Sequence, residues 1–190
     1  MALGATGDTT LAEAAGKLTG EELKALGLNI NFAPVLDINS NPDNPIIDQL
    51  HQGDWVVIVA AEEEQAKQLE KQLKQASNSL SLKTEISVIG QGKTNEAVAK
   101  ADYVILASYQ FRNVASQFGW NAYQTLIDAM NSRNQRYTLI SLGNPYEMIY
   151  LQNVRSALAV YGKQEPNTTA GINVLVGKKE AGGILPVKME

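Results

Sequence analysis

Trp55-Val56-Val57-Ile58-Val59-Ala60 is an unbroken apolar run, and Glu62 to Gln75 directly behind it is a Glu-, Lys- and Gln-rich amphipathic stretch. A strand apolar at every position is buried on both faces, and a helix following it is the crossover of a parallel pair. The alternation then repeats. Thr84 to Ile89 reads as a strand, Thr94 to Lys100 as a short helix and Tyr103 to Ala107 as a second apolar strand. Asn121 to Ser132 reads as a helix with Leu126, Ile127 and Met130 inward. Tyr137 to Leu142 is a strand, Tyr146 to Leu151 a short helix, Ala157 to Val160 a strand and Thr168 to Val176 a last helix. Five such strands predict the α/β class: an open, doubly wound, mainly parallel sheet with flanking helices over residues 51–190. Gly182 to Val187 is expected to add an edge strand or wrap the surface.

Working back toward the N-terminus, a different unit precedes the sheet. Residues 1–8 read as a short strand ending in a Gly-Asp turn. Thr10 and Glu13 have the spacing of a capping box. Leu11, Ala14, Ala15, Leu18, Leu23 and Leu26 follow at helical spacing, and Gly27 closes the helix. Asn29 to Leu36 reads as a strand ending at Asp37. Residues 1–50 therefore form one expected β-α-β unit, with a turn-rich loop over Asn39 to Pro45.

Composition narrows the chemistry. The 190 residues are 44% hydrophobic and 19% charged, with a net charge of -4. The Lys and Arg residues are scattered, so nucleic acid is not an expected partner. Without cysteine there is no disulfide, thiolate zinc site or Cys nucleophile, and the single His, His51, excludes a His-rich metal site. No cofactor and no metal are expected. No apolar run approaches the roughly 20 residues of a membrane span. The N-terminus lacks the basic and apolar regions of a signal peptide, and the compartment stays open.

Two stretches carry a resemblance to a known family. The first is Met1-Ala2-Leu3-Gly4-Ala5-Thr6 with Gly20 to Ile47, above all the run Asn31-Phe32-Ala33-Pro34-Val35-Leu36-Asp37-Ile38-Asn39-Ser40-Asn41-Pro42-Asp43-Asn44-Pro45. It resembles the early part of the (β/α)8 barrel of glycoside hydrolase family three, in the β-N-acetylglucosaminidase branch. The second comprises Ala101 to Ile105, Ser141 to Tyr146, Ala159 to Gly162 and Gly183 to Val187. Its order and spacing are similar to the α/β domain that follows the barrel in two-domain members. The resemblance implies retaining hydrolysis of terminal β-N-acetylglucosamine linkages in the parent enzyme, with an N-acetylglucosamine-containing saccharide as ligand. It also implies a deletion, because Ile46-Ile47 runs through Asp48 to Gly53 straight into the second domain. The barrel strands expected to bring the nucleophile and the acid/base pair are missing, so this chain is expected to be inactive alone.

The site residues follow from that reading. No catalytic residue is expected. Asp37 is the substrate-binding candidate: it ends a barrel-type strand, where such barrels build their sites, and by resemblance its carboxylate accepts hydrogen bonds from sugar hydroxyls. Asn39, Asn41, Asp43 and Asn44 read as turn residues, since Asx side chains bond nearby backbone. Ser87 to Thr94 ends in Gly92-Lys93-Thr94 after a strand, but a phosphate loop needs Gly where Ser87 stands. His51 reads as an exposed loop residue and Trp55 as core. Phe111 to Trp120 lies after a strand end, on the ligand-binding edge of an open sheet. Ile30, Phe32 and Val35 lack barrel neighbours and predict either docking onto the sheet or a homo-oligomer.

Overall fold

The computed structural model describes residues 6–25, 49–109, 119–143 and 150–179. The chain divides into two compact units, Met1–Asn44 with Gly182–Lys188, and Pro45–Ala181 with Met189–Glu190. The expected strand over Asn29 to Leu36, Asp37, the loop from Asn39 to Pro45, the helix at Tyr146, Phe111, Phe118 and the segment Gly182 to Val187 lie outside the described residues.

In the first unit the described element is helix α1 (Thr9–Ala25). Its cap is Asp8, not the Thr10–Glu13 box expected from the sequence. Asp8 Oδ1 accepts the backbone N–H of Thr10 at 2.8 Å and of Leu11 at 3.3 Å, and the Thr10 hydroxyl at 2.6 Å. A carboxylate takes these three donors from one position, so the Thr10 hydroxyl is a donor to Asp8 rather than the cap. The Thr10 side-chain bond, then the backbone bonds of Thr10 and Leu11, hold the Asp8 carboxyl below its ordinary range. Leu11 and Leu18, one face of α1 at i and i+7, are 48% and 58% exposed.

The second unit is the expected sheet. Its strands are β1 (Trp55–Ala60), β2 (Lys83–Val88), β3 (Tyr103–Ser108), β4 (Arg136–Ser141) and β5 (Ala157–Ala159). Between them run α2 (Glu63–Ala76), α3 (Thr94–Lys100) and α4 (Trp120–Ser132), with α5 (Glu165–Leu175) after β5. The strand order is β2-β1-β3-β4-β5, and every pairing is parallel. Helix α5 starts three residues before the expected Thr168, because Pro166 fits a first turn that has no use for its missing N–H.

Strand alternation sorts the core into two layers. Val56, Ile58 and Ala60 join Ala66, Leu69 and Leu73 of α2 and Ile172 and Leu175 of α5 on one face. Val57 and Val59 join Ala97 and Val98 of α3 and Tyr123, Leu126, Ile127 and Met130 of α4 on the other. All five residues from Val56 to Ala60 are fully buried, and a buried Val or Ile side chain stabilises by about 1.5–3 kcal/mol. That is the physical content of a strand apolar at every position. The edges differ. β2 alternates, with Lys83 and Glu85 exposed, and β5 is only three residues long. Charged residues and short length both discourage pairing with another chain.

The N-terminal ends of the strands are tied by polar contacts. Arg136 Nη2 donates to Asp54 Oδ1 at 2.7 Å, and its Nη1 donates to the Gln49 carbonyl at 3.2 Å. The guanidinium lies 5.5 Å from the centre of the Tyr103 ring. Asp102 accepts the Trp55 N–H at 2.9 Å, and Asp54 accepts the His51 N–H at 2.8 Å. One cluster thus anchors the starts of β1, β3 and β4.

Candidate functional site

A parallel sheet presents all its strand ends on one side, and ligands of such sheets bind outside the carboxyl ends of the strands. Here that edge is formed by Ala60, Val88, Ser108, Ser141 and Ala159. Order reverses between β1 and β3, where Ser108 ends the central strand. Ser108 is fully buried, and its Oγ has no hydrogen-bond partner. Next to it, Lys163 Nζ lies 4.7 Å from the centre of the Tyr109 ring, so a cation already covers that aromatic face. Tyr161 sits at φ 57, a left-handed conformation rare for a residue with a side chain. Burial pushes its phenol up to about 12.

The sequence candidates fall as follows. The Gly92-Lys93-Thr94 segment makes no phosphate cradle. The Thr94 hydroxyl donates to the Val88 carbonyl at 2.7 Å and lies 2.7 Å from Ser87 Oγ, so it closes the loop on itself. His51 is exposed, as expected. Trp55 is half-buried, against the edge of the second layer rather than inside it. Trp120 opens α4 and is buried, stacked on Tyr150 with ring centres 6.0 Å apart. Its ring is used in local packing. Asp37 and the Asn39 to Asn44 rim lie outside the described residues.

Among the described residues, no group of three or more His, Asp or Glu side chains is placed to hold a metal ion. Among the described residues, the carboxylates with displaced titration, Asp8, Glu63 and Glu70, are pulled down, opposite to what a general acid needs. Lys67 holds Glu63 down by its hydrogen bond and its charge. For Glu70, burial pushes upward, but the hydrogen bonds from Lys74 and Thr84 and the Lys74 charge together outweigh it. Sequence reasoning missed a polar cleft beside α2. Gln65 and Gln72 line up with Ala66, Leu69 and Leu73 on the buried side of that helix. Two amides at i and i+7 on an otherwise apolar face were the available signal.

The model of the glycosyl hydrolase family 3 N-terminal domain matches residues 1–95. The chain belongs to glycosyl hydrolase family 3. The family match runs past residue 50, through β1, α2 and β2 of the sheet. Beta-hexosaminidase A of Pseudoalteromonas piscicida is 49% identical over 51 residues, 25% of this chain and 8% of the relative. A beta-N-acetylglucosaminidase/beta-glucosidase of Cellulomonas fimi is 44% identical over 61 residues, 32% of this chain and 11% of the relative. The family 3 chain thus spans about a tenth of the length of these curated relatives. Its fold is similar to part of a family 3 β-N-acetylglucosaminidase from Paenibacillus sp. str. FPU-7. That similarity has a TM-score of 0.55 and 20% identity, over 81% of this chain and 30% of the other.

Proposed function

We propose that this chain is a partial β-N-acetylglucosaminidase-like glycoside hydrolase that does not cleave β-N-acetylglucosaminides by itself. The observation that carries the reading is the fold behind the family match: the described strands form an open five-stranded sheet. Retaining hydrolysis with a carboxylate pair needs the two groups about 5–5.5 Å apart across the sugar. Barrel enzymes of this kind assemble such groups from the ends of several strands of a closed barrel. Relatives named as hexosaminidase and N-acetylglucosaminidase support the substrate class of the parent enzyme. In that parent, Asp37 is the acceptor for hydroxyls of the bound sugar. The exposed Leu11 and Leu18 of α1 support self-association of the first unit.

A chromogenic N-acetylglucosaminide tests the reading. The purified chain is expected to match the buffer blank. Turnover above it that disappears in Asp37→Ala would overturn the proposal. Light scattering reads the second part: a monomer that Leu11→Lys leaves unchanged rules out self-association through α1.

A further inference from the structure

Strand β2 is an edge of the sheet: β1 lies on one side of it and, among the described residues, no strand lies on the other. The N–H of Lys83 donates to the Asp54 carbonyl at 3.0 Å and that of Ile89 to the Ala60 carbonyl at 2.9 Å, so both residues turn their backbone toward β1. Successive residues of a strand aim their N–H and C=O groups at opposite sides. Glu85 and Ser87 therefore also face β1, while Thr84 and Ile86 turn theirs outward. The side chains alternate as well. Leu82 and Ile86 pack against the layer of α2, and the Thr84 hydroxyl donates to Glu70 Oε1 on that helix at 2.6 Å. Lys83 and Glu85 stand on the opposite face, exposed and without a hydrogen bond or ion pair among the described residues.

The run Leu82-Lys83-Thr84-Glu85-Ile86 reads the same in both directions by chemistry: apolar, charged, Thr, oppositely charged, apolar. We propose that β2 pairs antiparallel with β2 of a second copy of this chain, about a two-fold axis through Thr84. Thr84 then faces the partner's Thr84, and Ile86 faces the partner's Leu82. These are the pairs whose outward groups exchange both backbone hydrogen bonds. Lys83 meets the partner's Glu85 at the pair between them, where no backbone bond forms and side chains come closest. The symmetry repeats that ion pair with the roles exchanged. Opposite charges, Thr–Thr and apolar pairs are all favourable across strands, and like charges are not. Edge charges turn away strands whose charges do not match; an antiparallel copy of β2 is a strand whose charges do. A parallel copy in register, the arrangement of stacked aggregates, would set Lys83 against Lys83 and Glu85 against Glu85. So short a contact makes a weak dimer, with Kd on the order of 0.1 mM. The surface does not use Asp37 or the exposed leucines of α1, so it stands apart from the reading above.

The experiment is sedimentation equilibrium of the whole chain carrying Leu11→Lys, which takes the exposed face of α1 out of the measurement. This parent is expected to dimerise. Lys83→Glu and Glu85→Lys each set like charges opposite one another twice, and each is expected to weaken the dimer at least about tenfold. The double variant Lys83→Glu/Glu85→Lys matches the pairs again and is expected to bring Kd back to within about threefold of the parent. An equimolar mixture of the two single variants is expected to form the mixed dimer, in which both pairs are also matched. Amide exchange gives a second readout. The Thr84 and Ile86 amides are expected to exchange more slowly as concentration rises, and those of Lys83 and Glu85, already turned to β1, to stay unchanged. A parent that is monomeric at about 1 mM, single variants that dimerise as the parent does, or a double variant or mixture that stays monomeric would each overturn the proposal. If a single variant loses its native dichroism, the double variant and the exchange series carry the test. A monomeric double variant, or Thr84 and Ile86 exchange that does not change with concentration, then overturns it.

Discussion

Gly171 on α5 packs against the strand end it covers, and replacing it sets two effects of opposite sign against each other. A Cβ at this position would lie 2.7 Å from Val160 Cγ1 and 3.3 Å from Leu158 Cδ2. Val160 is β-branched and 9% exposed, so it has little freedom to move aside. Overpacking of this kind costs about 1–3 kcal/mol. Against it, Ala in place of Gly inside a helix gains roughly 0.5–1 kcal/mol. The clash wins, and Gly171→Ala is expected to destabilise the sheet unit by about 1 kcal/mol. Val160→Ala alone opens a gap and costs about 1 kcal/mol as well. In the double variant the new methyl occupies the space Cγ1 vacated. The double is therefore expected to be more stable than the sum of the singles by about 1 kcal/mol. Urea unfolding followed by Trp fluorescence and far-ultraviolet dichroism gives the three midpoints. Gly16→Ala on α1 is the control: nothing lies within 4 Å of that Cβ, so only the favourable helix term acts. A Gly171→Ala protein at least as stable as wild type, or singles that add within about 0.3 kcal/mol, would refute the packing argument.

Other outcomes follow from the same contacts. Asp54→Asn removes the charge that Arg136 meets at 2.7 Å; with Asp54 8% and Arg136 29% exposed, about 1–3 kcal/mol should be lost in urea unfolding. Thr94→Val deletes the hydroxyl that closes the Ser87 loop and leaves the Val88 carbonyl without that donor, so about 1–2 kcal/mol is lost and no nucleotide affinity changes. Tyr161 has its folded-state phenol raised from 10.0 to about 12. Its contribution to stability is complete below pH 10 and is lost as pH rises toward 12. Ultraviolet titration at the phenolate band should show a late-ionising component that Tyr161→Phe reduces by one tyrosine.

The sheet was legible because burial on two faces leaves an unambiguous pattern. Every residue from Val56 to Ala60 had to be apolar, and the helices between strands had to be amphipathic. Boundaries moved by one to three residues, as at Glu165, where Pro166 in a first turn outweighs the apolar spacing that suggested a later start. The cap of α1 was misread because Asp8, Thr9 and Thr10 all carry capping side chains, and sequence does not rank them; the carboxylate with three donors takes the place. The cleft was invisible for another reason. It depends on α2 and α5 meeting across about 100 residues of chain, through Gln68 and Thr168. Lysines and glutamates at a helix start read as a solvated face until the second helix is placed opposite. Asp37 rests on the resemblance in its own stretch of chain, where the family match also lies.

The strand order has a consequence for synthesis. β1 is interior, with β2 on one side and β3 on the other, yet β2 precedes β3 in the chain. A ribosome that has released only β1, α2 and β2 has a parallel pair with two bare edges, and the one that β3 later covers belongs to Trp55–Ala60. The segment is uncharged, β-prone and free of proline, which is the composition that stacks with copies of itself. Until β3 emerges, the stretch that makes the core is also the stretch most able to aggregate. Co-translational crowding or an arrest near residue 100 should send this protein into inclusion bodies, and a chaperone that shields Val56 to Ala60 should rescue it.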